Sequence, residues 1–307
     1  PALARTDADL RYVASSGGVS AQHLAKKFGI AYAVTDYNAI LKDDTVNTVI
    51  ITLRHNQHAN AVIKALKAGK HVFVEKPLAI SEQELDRVIK TAADHPSQQL
   101  MVGFNRRFSP HIQKMKELLQ NRSAPLALHM TVNAGPLPSD HWQRDPAQGG
   151  RIIGEGCHFI DLMAYLTGSS IIRVSAMDMD SGAEQQDTTT AMQLQFTEGS
   201  VATVNYYANG LKSYPKEMLE VFSQERVLRL DNFKTLRGWC FKGFNKFKTR
   251  RQDKGHRAEM AAFIEQVQQG GTGLIHLKEL ENVTRASFAA VTSSKEKQNI
   301  KVFQTIM

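Results

Sequence analysis

Cysteine is scarce in this chain. Of 307 residues only Cys157 and Cys240 are cysteines, and neither sits in a CxxC or Cys/His spacing. That excludes a disulfide framework and a structural zinc site of the usual kind, and it points to a reducing compartment, the cytoplasm. Long apolar runs are missing too. None approaches the length of about 18 residues that a membrane-crossing helix needs, and the first residues carry no signal-peptide pattern. The chain opens on Pro1 rather than Met, so its true N-terminus is expected to lie upstream. Extreme charge is absent as well: 38 basic residues against 30 acidic ones leave a net charge of +8. The basic, aromatic stretch FKGFNKFKTRRQDKGHR, residues 241–257, reads first as a solvated loop, second as a feature suited to a small anionic substrate, and only last as a nucleic-acid surface. No nucleic-acid partner is expected.

The length suits two packed domains, and 42% hydrophobic with 22% charged residues is an ordinary globular composition. Over the first hundred residues short β-like runs alternate with helical periodicity. LRYVAS (10–15) reads as a strand, and SAQHLAKKFG (20–29) as a helix with a Ser cap and a terminal Gly. TVIITL (48–53) is the continuous β-branched run of a strand buried on both faces. A helix over 57–70, the strand HVFVE, a helix opened by a Ser81/Glu84 capping box and the strand QLMVGF complete a βαβ series, hence a doubly wound, Rossmann-like sheet. The second half changes character. APLALHMTVNAG, IIRVSAMDMD, TTTAMQLQFTEGSVATVNYYAN and KEMLEVFSQERVLRLDN alternate as antiparallel strands with turn residues between them, and a helix returns at residues 255–271.

Ligands of such parallel sheets bind at the carboxyl ends of the strands. Four strand ends here carry polar clusters: Ser15-Ser16-Gly17-Gly18, Thr52 to His58 with Leu53, His55 and His58 inside it, Glu75-Lys76-Pro77, and Asn105-Arg106-Arg107. Pro77 restricts the residue before it to extended conformations, which fixes how Lys76 leaves its strand and aims it into the crevice. A lysine at a strand end is otherwise as often a plain surface residue.

The stretches DTVNTVIITLRHNQHANAVIKALKAGKHVFVEKPLAIS, MVGFNRRFSP and GGRIIGEGCHFIDLMAYLTG resemble the Gfo/Idh/MocA oxidoreductases, the glucose-fructose oxidoreductase and inositol dehydrogenase group, over nearly the whole chain. GGRIIGE, YPKE and QDKGH are similar to members fused behind a zinc-type alcohol dehydrogenase-like half in bacterial polysaccharide clusters. The resemblance implies a nicotinamide-binding Rossmann domain, placed at 1–104, followed by an α+β domain with a large open, mostly antiparallel sheet for substrate and oligomer contacts, placed at 105–307.

The family's G-x-G-x-x-G loop, whose amides and helix dipole hold the pyrophosphate, does not occur in the chain. The expectation is therefore a fold that lacks its first strand and that loop, with LRYVAS left at an unpaired edge or paired directly with TVIITL, and with tight dinucleotide binding lost. Ser15 and Ser16 stand where a ribose carboxylate would, leaving NAD and NADP both open as cofactor. By resemblance Lys76 lies near the nicotinamide and the reacting hydroxyl, where a positioned lysine relays a proton or polarises oxygen. His158 in GEGCHFIDL matches the family histidine that takes the substrate proton. Its usual aspartate partner four residues earlier is Gly154 here. Glu155, one residue later, is the candidate replacement, although a one-residue shift on a helix turns a side chain by about 100°.

His55 and His58 are expected beside the cofactor with Thr52, Leu53 and Glu75, with no metal site. Asn105, Arg106, Arg107, Trp142 and Arg151 are candidates to hold a sugar or its phosphate, and Asp161 to orient His158. The function implied is hydride transfer between NAD(P) and a sugar or nucleotide-sugar, in a homo-oligomer. The alternative is a non-catalytic ligand-binding or assembly module that kept the fold.

Overall fold

Short apolar runs separated by glycine turns set the first third of the chain. A computed structural model describes residues 1–180 and 189–302. Tyr12–Ala14 (β1) leads through a Ser-Ser-Gly-Gly turn into Val19–Phe28 (α1), which Gly29 ends in the left-handed region at φ 67°. The helix starts directly after Gly18, at φ 60°, and not at a Ser cap. Ser20 lies inside it with its hydroxyl 2.6 Å from that of Ser15. Tyr32–Val34 (β2) pairs in parallel with β1, and Asn38–Leu41 (α2) is a single turn opened by the Asp36 carboxylate, which accepts from the amide of Asn38.

Thr48–Ile51 (β3), His55–Lys67 (α3), His71–Val74 (β4), Glu82–Asp94 (α4) and Leu100–Val102 (β5) form a three-stranded parallel sheet, order β3-β4-β5. The capping box at α4 is present in a displaced form. Ser81 Oγ accepts from the Glu84 amide at 3.3 Å, but the Glu84 carboxylate reaches the amide of Ile80. Of the two arrangements expected for LRYVAS, direct pairing with TVIITL is not found, because β1 and β2 form a separate two-stranded sheet. Nor is TVIITL buried on both faces: β4 is its only strand partner among the described residues, and Thr48, Val49 and Ile50 stay half-exposed while the paired-in β4 buries Val72, Phe73 and Val74. Edge position, not composition, decides burial here.

Pro110–Leu119 (α5) opens the second half, with proline at its first position. Ala127–Asn133 (β6), Cys157–Thr167 (α6), Ile171–Asp178 (β7), Thr190–Phe196 (β8), Val201–Tyr207 (β9), Glu217–Ser223 (β10), Arg226–Asp231 (β11), Thr235–Phe241 (β12) and Phe244–Lys248 (β13) follow. His256–Gln269 (α7), Leu277–Glu296 (α8) and the two-residue Ile300–Lys301 (β14) close the fold. The strands form one nine-stranded sheet, β13-β12-β11-β10-β6-β9-β8-β7-β14, antiparallel except for the β6/β9 pair. Thr188, the first residue of the expected strand TTTAMQLQF, lies outside the described residues. The basic stretch 241–257 is not a loop throughout, since β13 occupies its first part.

Strict alternation along β6, β8 and β9 sends Leu128, Met130, Val132, Met192, Leu194, Phe196, Val204 and Tyr206 to one face, all buried. Against that face lies α6, where Phe159, Ile160, Leu162, Met163 and Leu166 have no accessible surface. Each such side chain contributes roughly 1.5–3 kcal/mol on burial. A helix apolar all round belongs inside a protein, and α6 is held there between the great sheet and α8. The packing brings the start of α6 to the carboxyl end of β4.

Candidate active site

Two segments meet at this junction. The first is Glu75-Lys76, at the carboxyl end of β4. The amide of Glu75 donates to Ile51 O at 2.9 Å, and Gly103 leaves room for the carboxylate: a Cβ there would stand 3.2 Å from Glu75 Oε2. The second is a π-helical turn, Ile152–Gly156, that feeds α6. Lys76 Nζ bridges them by donating to Gly154 O at 2.7 Å. Such turns insert one residue into a helix and often mark functional positions.

Around that bridge lies a polar cavity of about 370 Å³. Glu75, Lys76, Asn105, Arg106, Arg151, Glu155 and His158 all line it, so seven of the sequence candidates converge. His158 is 6% exposed, and its Nδ1 has no hydrogen-bond partner among the described residues. Burial, then Arg106 and Lys76, hold its pKa well below the ordinary histidine range, so at neutral pH the ring is uncharged and able to accept a proton. Burial pushes the Glu155 carboxyl up, but the attraction of Lys216 outweighs it, and the net pKa is lowered. Lys216 Nζ donates to Glu155 Oε1 at 2.7 Å and the Tyr206 hydroxyl to Oε2 at 2.5 Å. Glu155 is therefore an ionised, anchored carboxylate facing the cavity. Arg151 is held beside it, donating from Nε to the Tyr206 hydroxyl and from Nη1 to Gly135 O, each at 2.9 Å.

The cavity wall includes residues that the sequence reading passed over. Lys216, Lys254 and His256 line it, and Glu217 stands behind, fully buried. Glu217 accepts from Arg106 through both oxygens at 2.8 Å and from Lys254 Nζ at 2.6 Å. Burial pushes its carboxyl up, but the two cations bring it down to about 2. Asn105 Nδ2 donates to Lys254 O at 2.7 Å and so fixes the backbone that carries Lys254. The signal was present in YPKE and QDKGH, read only for their resemblance; what was missing was the fold that sets both segments against Arg106.

Other candidates are placed elsewhere. Asp161 does not orient His158: it is bound at both oxygens by Arg107, which also holds the partly exposed Glu279 on the same guanidinium. Trp142 lies outside the cavity, sandwiched by Arg54, 4.4 Å from its ring centre, and by His55 at 4.7 Å. His58 has ring nitrogens 2.7 Å from Pro77 O and 2.9 Å from Leu53 O, tying the turn after β4 to the end of β3. His55, with Nδ1 3.0 Å from Gln148 O, fills the space beside Gly154: a Cβ at 154 would stand 2.6 Å from its Cε1. Burial, then Lys76 among the neighbouring charges, lowers its pKa to about 4. Thr52 and Leu53 are exposed after β3, and Ser15 and Ser16 remain at the turn after β1, also outside the cavity. Among the described residues no three His, Cys, Asp or Glu side chains gather as a metal site would require. A larger concavity of about 540 Å³ at the β10–β11 turn, lined by 125–127 and 222–227, has no comparable acid–base set.

A parallel βαβ unit, a great antiparallel sheet and a lysine–histidine cavity at their junction define an α/β oxidoreductase. Residues 1–104 match the oxidoreductase family with an NAD-binding Rossmann fold, GFO_IDH_MocA, and residues 112–228 match the GFO/IDH/MocA C-terminal domain. The chain belongs to the Gfo/Idh/MocA family. It is 25% identical over 300 residues to the myo-inositol 2-dehydrogenase of Thermotoga maritima, covering 93% of this chain and 88% of that one. To the D-xylose 1-dehydrogenase (NADP(+)) 2 of Haloferax volcanii it is 29% identical over 207 residues, 66% of this chain and 63% of that one. The fold is that of a levoglucosan dehydrogenase solved with NADH: TM-score 0.84 at 20% identity, covering 96% of this chain and 90% of that one. These matches lend no support to the expected loss of an N-terminal part.

The family's cofactor is a nicotinamide dinucleotide, and the residues present fit its reactive end. Lys76 and Glu75 project at strand carboxyl ends beside a buried, unpartnered histidine nitrogen. No helix among the described residues is long and apolar enough to cross a membrane.

Proposed function

We propose that the protein transfers a hydride between NAD(P) and a carbon of a sugar or nucleotide-sugar. The observation that carries this reading is the convergence of Lys76 and His158 on one cavity. A bound nicotinamide supplies the hydride acceptor. His158, neutral and buried, takes the hydroxyl proton; Lys76, fixed by Gly154 O, points its ammonium at the reacting oxygen and stabilises charge developing there. Glu155 holds Arg151, Tyr206 and Lys216 in register around the substrate and replaces the absent aspartate in position, not in contact with His158 Nδ1.

We place the cofactor half at 1–104 and the substrate half at 105–307. The outer faces of β8 and β9 present Gln193, Gln195, Val201, Thr203, Asn205 and Tyr207 without a charged side chain, which favours a homo-oligomer through that sheet. The two cysteines are free, which suits a reducing cytoplasm.

The test is a screen of NAD(H) and NADP(H) against neutral sugars, acidic sugars and UDP-sugars, read by nicotinamide absorbance. Turnover lost on His158→Asn supports the reading. A folded protein that binds sugars but moves no hydride with either cofactor would leave the binding-module alternative.

A further inference from the structure

The cavity holds more positive charge than its own carboxylates balance. Among the described residues, and leaving Arg151 aside, Lys76, Arg106, Lys216 and Lys254 line it, against Glu75 and Glu155 in the lining and Glu217 behind, an excess of one positive charge. Other buried acids nearby do not correct this. Burial, then Glu75 and Asp161, raises the Glu259 carboxyl well above its ordinary range, so it keeps its proton, and Asp161 is committed to Arg107.

The excess is also graded in depth. Lys216 has 38% of its side chain exposed, Lys254 17% and Arg106 7%, a path from mouth to floor. One carboxylate, Glu217, serves both Arg106 and Lys254. Lys254 Nζ makes its one hydrogen bond among the described residues to Glu217 and Lys216 Nζ to Glu155, which leaves ammonium protons on both for a ligand. Gathering like charges in a partly dehydrated space is unfavourable unless a counter-charge arrives. A neutral polyol gives none.

We infer that the substrate carries an anionic group, a carboxylate or a phosphoryl, seated on Lys216, Lys254 and Arg106 while its reacting hydroxyl faces Lys76 and His158. This rests on the hydride-transfer reading for which end of the ligand reacts. The anion can belong to the sugar ring, as in a uronate or sugar phosphate, or to the diphosphate of a nucleotide-sugar.

Calorimetry without cofactor tests it with glucose, glucuronate, glucose 6-phosphate and UDP-glucose. At least one of the three anions should bind roughly tenfold or more tighter than glucose at low salt, with the preference fading as salt rises, as one or two charge contacts require. Which anions bind separates a ring-borne from a nucleotide-borne group. Lys254→Met should pull the anion-to-glucose ratio toward one, and Lys254→Arg should restore it. Lys216→Gln, at the exposed mouth, keeps the test open if Lys254→Met fails to fold. Equal binding of glucose and all three anions overturns the inference. Tight anion binding without hydride transfer overturns the catalytic reading and leaves this one standing.

Discussion

Arg106 and Arg107 are neighbours on one 3-10 turn, Asn105–Phe108, yet they end in opposite surroundings. Arg107 has two carboxylates for one cation, Asp161 and Glu279, and lies over the Tyr165 ring at 4.9 Å. Arg106 shares one carboxylate with Lys254 and forms part of the cavity wall, its guanidinium 4.7 Å from the Phe159 ring centre. Both are buried to a similar degree. Burial and pairing therefore do not separate a functional arginine from a structural one; the local charge balance and the adjoining space do.

The largest effect expected concerns the Arg107 ion cluster. Asp161→Ala leaves Arg107 with Glu279 alone and should cost about 3–5 kcal/mol in denaturant unfolding, the usual result of removing one member of a buried ion pair. A folded Asp161→Ala protein with normal stability and altered sugar binding would erase the contrast between the two arginines. Next, Lys76→Ala should lower turnover by roughly 100-fold or more with the melting temperature nearly unchanged. Unchanged turnover would remove Lys76 from the chemistry.

Gly154→Asp, which installs the family's aspartate, should cost about 1–3 kcal/mol because its Cβ meets the His55 ring. That corresponds to roughly 2–4 °C in Tm for each kcal/mol. Adding His55→Ala should recover part of the loss, a coupling that a double-mutant cycle measures; additive losses would show that the ring is not the obstacle.

The smallest effect is on pH. Burial lowers His55 to about 4 and also holds His158 well below the ordinary histidine range. The unfolded chain then takes up protons before the folded one, so the stability they contribute is complete above the ordinary histidine pKa of about 6.5 and is lost as pH falls from there toward 4. Over that window Tm should decline less in His55→Asn than in the parent. The raised Asp161 and Glu259 carboxyls act with the opposite sign in the same window, so the difference between parent and His55→Asn is the readout. Identical pH profiles for the two would contradict the His55 shift.

Much of this was legible in the sequence because local rules carried it. Glycines at helix ends, the Ser81 cap and β-branched runs marked the parallel strands and their helices, and alternation marked β6 to β11. Lys76 could be singled out from its strand end before Pro77 together with the family resemblance, and His158 from the resemblance alone. Burial of β3 could not be read, since TVIITL says nothing about whether a neighbour pairs with it. The contacts of Asp161, Trp142 and His58 could not be read for a related reason: spacing gives the turn of a helix a residue shares, not which guanidinium, ring or carbonyl reaches it first. Lys216 and Glu217 are adjacent, but Lys254 and Arg106 lie far from them in the chain, and only the meeting of β10 with the loop before α7 and with the 105–108 turn makes them a set.

Arg285, on α8, reaches Glu82 and Asp86 of α4 and Glu281 on its own helix. It is one of several ties between the two halves of the chain, with Lys76 on Gly154 O and His55 on Gln148 O among the others. Glu82 and Asp86 are more than half exposed, so each contact is individually weak and open to screening. Raising ionic strength should therefore weaken these contacts while leaving the apolar core shared by the two halves in place. Hydrogen exchange along α4 and α8 should then rise with salt before exchange in the sheets beneath them does.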